Sequence, residues 1–233
     1  MLHALEVKGL CKSYSGFAVK NINFNIPLGA IMGFVGPNGA GKTTTIKMIL
    51  NLLPADAGEI CIFEHDATQE EARADVGVIS DISLYPEEWS GNDVERVAAL
   101  FYRHWDRKRF NKILQKFKID KKKKVGQLSR GMNVKLMFAA ALSHNARLLI
   151  LDEPTSVVDI EDRDEICAML SDYVKCGTKS VLFSTHITSD LDKIADYITC
   201  IREGNILFSG TKQQIVGNAA TLEEAILSMG REK

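Results

Sequence analysis

The stretch GPNGAGKTTT (36–45) sets three glycines and a lysine directly before a run of threonines. Glycine loses more backbone freedom on folding than any other residue, so a cluster of glycines is kept where backbone must approach something closely. Gly36, Gly39 and Gly41, with Pro37, Asn38 and Ala40 between them, leave N–H groups free to curl around an anion. A helix beginning near Lys42 adds unpaired N–H groups and the positive end of its dipole. Gly36, Gly41, Lys42 and Thr43 meet the spacing G-x-x-x-x-G-K-[ST], in which the lysine reaches the β- and γ-phosphates and the hydroxyl meets Mg²⁺. That motif requires strand, loop, helix. AIMGFV (30–35) reads as a buried strand and TTTIKMILNLL (43–53) as a helix. The implied ligand is a nucleoside triphosphate. What its energy drives is a separate question.

The 233 residues and 45% hydrophobic content suit one large α/β domain with a helical insertion. A net charge of −1 argues against nucleic acid as the main partner. The run KKKK (121–124) reads as a solvated loop, with contact to lipid headgroups or to a phosphate field as the alternative. Five cysteines without C-x-x-C spacing read as reduced, mostly packed thiols of a cytosolic protein. No apolar run approaches the ~20 residues that cross a bilayer. MLHALEVKGL alternates like a strand and does not read as a signal peptide. A role at a membrane would therefore run through a partner.

INFNI (22–26), EICIF (59–63) and VGVIS (76–80) read as strands. After about residue 90 the period changes. NDVERVAALFYRHW (92–105) places Val94, Val97, Ala98, Phe101 and Trp105 on one helical stripe, and RFNKILQKFKI (109–119) does the same with Phe110, Ile113, Leu114 and Phe117. Ser129 suits the N-cap of a third helix. Residues 88–142 thus form a helical insertion between 1–87 and 143–233. RLLILD (147–152) and SVLFST (180–185) return to the sheet, with helices between them as parallel βαβ units require. TLEEAILSMGREK closes the chain as a short amphipathic helix.

LLILDEPTS (148–156) is a continuously apolar strand ending in two carboxylates, where an open α/β sheet holds its ligands. Asp152 is the candidate for Mg²⁺. Glu153 is the candidate to orient or deprotonate an attacking water. His186 ends the next strand and is a third candidate at the same sheet edge.

Between these motifs lies QLSRGMN (127–133), and with it the chain resembles the ATP-binding subunits of ABC transporters over nearly its whole length. LSRGM is similar to the family signature LSGGQ and retains Ser129 and Gly131. SVVD (156–159) is similar to the family's D-loop and ends at Asp159; His186 matches the switch histidine; Tyr14 matches the aromatic that stacks on adenine. The resemblance implies a P-loop NTPase core: a mostly parallel sheet flanked by helices, an N-terminal antiparallel β subdomain and a helical signature subdomain. It implies ATP and Mg²⁺ as ligands, with Lys42, Glu153 and His186 catalytic, Thr44 at the α-phosphate, and Thr43, Asp81 and Asp152 at the metal. Thr45 is left as helix surface.

The family's head-to-tail dimer would bring Ser129, Gly131 and Asp159 to the partner's ATP. One chain carries both half-sites, so a homodimer is competent and a heterodimer is open. Two departures stand out: Asp81 replaces the usual glutamine, and Arg130-Gly131-Met132 replaces G-G-Q. ISLYPEEWSGND (82–93) corresponds to the groove for a membrane-subunit helix, where Tyr85 and Trp89 are either anchors or core packing. The implied function is ATP hydrolysis at the cytoplasmic face of the membrane, powering a separately encoded permease of the ABC-2 exporter kind, with peptides among the cargoes suggested. The competing reading is a soluble ABC-type ATPase acting on ribosomes or DNA.

Overall fold

Alternating apolar residues in HALEVKGLCKSY and FAVKNINFNIP fold these segments as an antiparallel pair, β1 (His3–Tyr14) and β2 (Phe17–Pro27). The structure, a computed structural model, describes residues 2–80, 82–217 and 219–229. Leu5, Val7 and Leu10 of β1 and Ile22, Phe24 and Ile26 of β2 are buried on one face. After β3 (Ile31–Val35) and α1 (Lys42–Ile49), β4 (Ala57–Ile62) and β5 (His65–Asp66) complete a sheet of order β2-β1-β4-β5. Helix α1 stops short of the expected residue 53. Asn51 takes a left-handed φ of +54°, which closes the helix C-terminus, and Leu52 folds back to donate to the Lys47 carbonyl at 2.8 Å.

The chain continues through α2 (Glu70–Ala74), β6 (Val76–Ser80), α3 (Gly91–Phe101), α4 (Arg107–Lys116), α5 (Arg130–Ser143), β7 (Leu148–Asp152), α6 (Ile160–Val174), β8 (Ser180–Thr185), α7 (Thr188–Ile194), β9 (Tyr197–Arg202), β10 (Asn205–Thr211), α8 (Lys212–Val216) and α9 (Leu222–Met229). The larger sheet has the order β10-β9-β3-β8-β7-β6. Its ladders are parallel except for the β9–β10 hairpin. The continuous apolar run in β7 is explained by burial on both faces. Leu149 and Leu151 join the core under α5 and α6, while Leu148 and Ile150 join the core shared with the smaller sheet and α1. The fold is α/β.

The helices between β6 and β7 have separate N-terminal caps. Ser90 and Asp93 form a capping box on α3, Asp106 accepts from the Arg109 N–H, and Ser129 accepts from the Met132 N–H at 3.2 Å. The expected stripe of α3 is corrected at its end. The helix stops at Phe101, whose side chain is 81% exposed. The Asp106 N–H is bound to the Ser143 carbonyl at 2.7 Å, which draws the chain away to start α4, and Trp105 packs on Phe110 instead.

Candidate nucleotide site

The loop 36–41 is braced from behind. A Cβ on Gly36 would sit 2.2 Å from the Ile201 carbonyl oxygen, so only glycine fits at the end of β3. Gly41 has φ +110°, and a Cβ there would press on Phe17 and Val19 of β2. The Gly204 N–H, in the β9–β10 turn, donates to the Ala40 carbonyl at 3.0 Å. Pro37, Asn38 and Gly39 remain exposed at the loop's crest. Tyr14, 46% exposed, pairs with Phe17 across the hairpin that covers Gly41.

Lys42 is 5% exposed. Its ammonium donates to the Gly36 carbonyl at 2.7 Å and the Pro37 carbonyl at 3.3 Å, and lies 3.1 Å from Glu153 Oε1. Thr43 Oγ1 donates to Asp152 Oδ2 at 2.7 Å. Thr44, half-buried, follows on the same turn. Thr45 is not helix surface. It is fully buried and donates to the Gly41 carbonyl at 2.9 Å, tying the first turn of α1 back to the loop.

Glu153 takes φ +51°, a conformation uncommon for a residue with a side chain. Its N–H donates to the Ser184 carbonyl at 3.0 Å, and its own carbonyl accepts from the Ser156 hydroxyl at 2.9 Å. This turn places the carboxylate between Lys42 and His186: Oε1 faces the Lys42 ammonium, and Oε2 lies 2.7 Å from His186 Nδ1. The His186 backbone N–H lies 3.4 Å from the same Oε2. The β7 and β8 ends therefore bring Asp152, Glu153 and His186 to the phosphate loop.

Thr43 and Asp152 offer a hydroxyl and a carboxylate oxygen side by side, hard donors that suit Mg²⁺. Among the described residues no group of three or more His, Cys, Asp or Glu forms a metal cage. Asp81 lies outside the described residues.

Ser129 and Gly131 open α5 elsewhere. Helix α5 packs on β6, which lies three strands from β3, or about 14 Å at ~4.8 Å per strand. Among the described residues no hydrogen bond joins 129–131 to 36–44. Gly131 instead abuts the D-loop, where a Cβ would come 3.0 Å from the Val157 carbonyl oxygen. Asp159 is exposed at the N-cap of α6, and Arg130 is exposed beside Gly131. Tyr85 and Trp89 pack against the core, and burial pushes the Tyr85 phenol above its ordinary pKa.

Thr45 was misread as helix surface, and two features went unread in the sequence: the Gly204 turn and Asp190. Asp190 is 1% exposed and accepts from Thr155 Oγ1 and from Arg163 Nη2, each at 2.8 Å. It thus ties both flanks of the D-loop to α7, the helix after His186. The only hint was an aspartate among the residues preceding Leu191, in a helix too short to show a period.

Residues 19–156 match the family model described as ABC transporter. The chain is 32% identical over 220 residues to the daunorubicin/doxorubicin resistance ATP-binding protein DrrA of Streptomyces peucetius, covering 91% of this chain and 66% of that protein. It is 29% identical over 221 residues to the Nod factor export ATP-binding protein I of Rhizobium leguminosarum bv. viciae, covering 91% of this chain and 71% of that one. The chain thus spans about two thirds of the length of these relatives. A solved ATP binding subunit of an ABC transporter superposes with a TM-score of 0.88 at 24% identity, over 99% of this chain and 100% of that one. With a match over more than half its length, the chain belongs to the ABC transporter family.

Proposed function

We propose that this chain hydrolyses ATP to power a separately encoded membrane permease, and that the transport is export. The carrying observation is the Lys42–Glu153–His186 chain of contacts beside the phosphate loop. Lys42 neutralises the β- and γ-phosphates. Glu153 accepts a proton from, or orients, the attacking water, and His186 holds the carboxylate in place. Thr43 and Asp152 hold Mg²⁺, which when bound neutralises phosphate charge. Thr44 reaches the α-phosphate and Tyr14 stacks on adenine. Ser129, Gly131 and Asp159 serve the ATP of a second ATP-binding subunit, a reading supported by their separation from the loop in this chain. Export is favoured by relatives named for drug resistance and for export.

No helix among the described residues is long and apolar enough to cross a membrane, which suits a peripheral subunit on the cytoplasmic face. A cavity of about 600 Å³ lies between α2 and the ends of α3 and α5, lined by Arg73, Tyr102, His104, His144 and Arg147. It borders Leu100 and Phe101, which are 79% and 81% exposed. This cleft, rather than Tyr85 and Trp89, is where a permease segment docks.

The test is purification of a tagged Glu153→Gln protein from native membranes with Mg-ATP. A polytopic membrane protein recovered in stoichiometric amount is expected. Ribosomal or DNA-associated partners without one would overturn the transporter reading.

A further inference from the structure

The stretch RHWDRKRFNKILQKFKIDKKKK (103–124) carries eleven Lys and Arg against two Asp, in a chain whose total charge is −1. Folding leaves much of this excess exposed along α4 and the loop that follows it. Phe110, Ile113, Leu114 and Phe117 turn inward to the core, so Arg107, Lys108, Lys112 and Lys116 face out along α4. Lys121 Nζ donates to Asn111 Oδ1 at 2.8 Å, which lays the lysine loop 121–124 against that same outer face.

Three of the eleven cations have carboxylate partners. Arg107 and Lys121 share Glu95, and Lys116 pairs with Glu165. Among the described residues the other eight have none within ion-pair distance, and Lys122, Lys123 and Lys124 are exposed. A surface of like charges repels itself and is not what internal stability selects. The patch also continues from the cleft proposed for the permease, because Arg103 and His104 belong to both.

We propose that the outer face of α4 and the loop 121–124 contact anionic phospholipid headgroups beside the permease. This rests on the reading that the cleft docks a permease, since a subunit held there turns its neighbouring basic face to the bilayer. Each lysine or arginine near such a surface strengthens binding roughly fivefold, and the effect fades beyond a Debye length of about 10 Å in 0.1 M salt.

The experiment is sedimentation of the purified full chain with phosphatidylcholine vesicles, with and without about 30 mol% phosphatidylglycerol. Binding is expected only to the anionic vesicles and should be lost as salt rises. Lys108→Gln, Lys112→Gln, Lys122→Gln and Lys123→Gln together should weaken it by about six hundredfold, with ATPase activity and melting temperature unchanged as the check on folding. Equal binding to both vesicle types, or binding that survives the four substitutions, overturns the proposal. Tighter binding to duplex DNA or to RNA than to anionic vesicles assigns the patch to nucleic acid and overturns it as well. The transporter reading is tested apart. A permease recovered with Glu153→Gln while vesicles fail to bind sinks the lipid contact alone; vesicle binding with no permease recovered sinks the transporter reading, and with it the placement of the lipid contact beside a permease.

Discussion

The phosphate loop and the signature turn both present backbone N–H groups at a helix N-terminus, yet they are held in opposite ways. The loop is fixed from behind and at both ends, with its crest open. The Ile201 carbonyl stands behind Gly36, the Gly204 N–H holds Ala40, and Thr45 clasps Gly41 from within. The signature turn is held on its inner side, by the Ser129 cap, by the Asn133 amide on the Val125 and Leu128 carbonyls and by the Val157 carbonyl beside Gly131, while Ser129 and Arg130 stay exposed. A site complete within one chain can be rigid before ligand arrives. A half-site that waits for another subunit must keep its outer side open. The contrast predicts that damage to the two regions is complementary between chains.

The largest expected effect tests this directly. Lys42→Ala and Gly131→Asp should each lower ATP turnover by at least about 10²-fold. Gly131→Asp should leave nucleotide affinity of the isolated chain nearly unchanged, whereas Lys42→Ala should weaken it. Mixing the two inactive proteins creates dimers with one intact composite site, joining the loop of the Gly131→Asp chain to the signature of the Lys42→Ala chain. Turnover should then recover to about a quarter of wild type, the fraction of intact sites in random dimers. A mixture as inactive as its components would break the comparison.

The same contrast explains which parts were readable in advance. VGVIS and SVLFST coincide with β6 and β8 because each is a short, β-branched and apolar stretch, fully buried in β8 and mostly buried in β6. Ser129 was readable as a cap because capping is decided by the residue's own side chain. Asp152, Glu153 and His186 could be placed at one edge because parallel strands end on the same side of a sheet. Helix ends were misjudged where distant backbone decided them, as when the Ser143 carbonyl captures Asp106. The left-handed turn at Glu153 and the burial of Thr45 were invisible for a related reason. Both depend on partners, Ser184 and the Gly41 carbonyl, whose positions exist only once the fold does.

Asp190 sharpens the comparison at intermediate scale, since it fixes the D-loop on which the signature turn rests. Asp190→Ala leaves the half-buried Arg163 guanidinium and the Thr155 hydroxyl without their acceptor, and should cost about 3–5 kcal/mol in urea unfolding. Asp190→Asn keeps the shape and an acceptor for Thr155, and should cost less, about 1–3 kcal/mol. In the milder variant turnover should fall while KM for ATP holds, because the phosphate loop itself is untouched. A KM that rises in step with the loss of turnover would place Asp190 with the loop rather than the D-loop. An Asp190→Ala, Arg163→Ala double variant should be clearly less damaged than the sum of the two single changes.

His144, where the helical segment rejoins the sheet, gives an effect that vanishes at neutral pH. It caps α5, stacks on Tyr102 with ring centroids 4.1 Å apart, and lies 7% exposed. Burial lowers its pKa to about 4; Asp75 opposes this and Lys179 adds to it, both more weakly. The folded state therefore keeps the ring neutral in a range where the unfolded chain, with a pKa near 6.5, takes up a proton. Above pH 6.5 the two states bind equally and there is no penalty. Between pH 6.5 and about 4 the unfolded state binds more protons, so stability falls as pH falls, by up to about 3 kcal/mol in total. His144→Phe keeps an aromatic ring against Tyr102 and cannot titrate. Its unfolding free energy, subtracted from that of the wild type at each pH, should trace this step and become flat above pH 6.5. Carboxylate effects common to both proteins cancel in that difference. A difference that stays constant from pH 4 to 7.5 would mean that the ring is solvated in the folded chain. The helical segment would then be joined to the core more loosely than the phosphate loop by more than its exposed end.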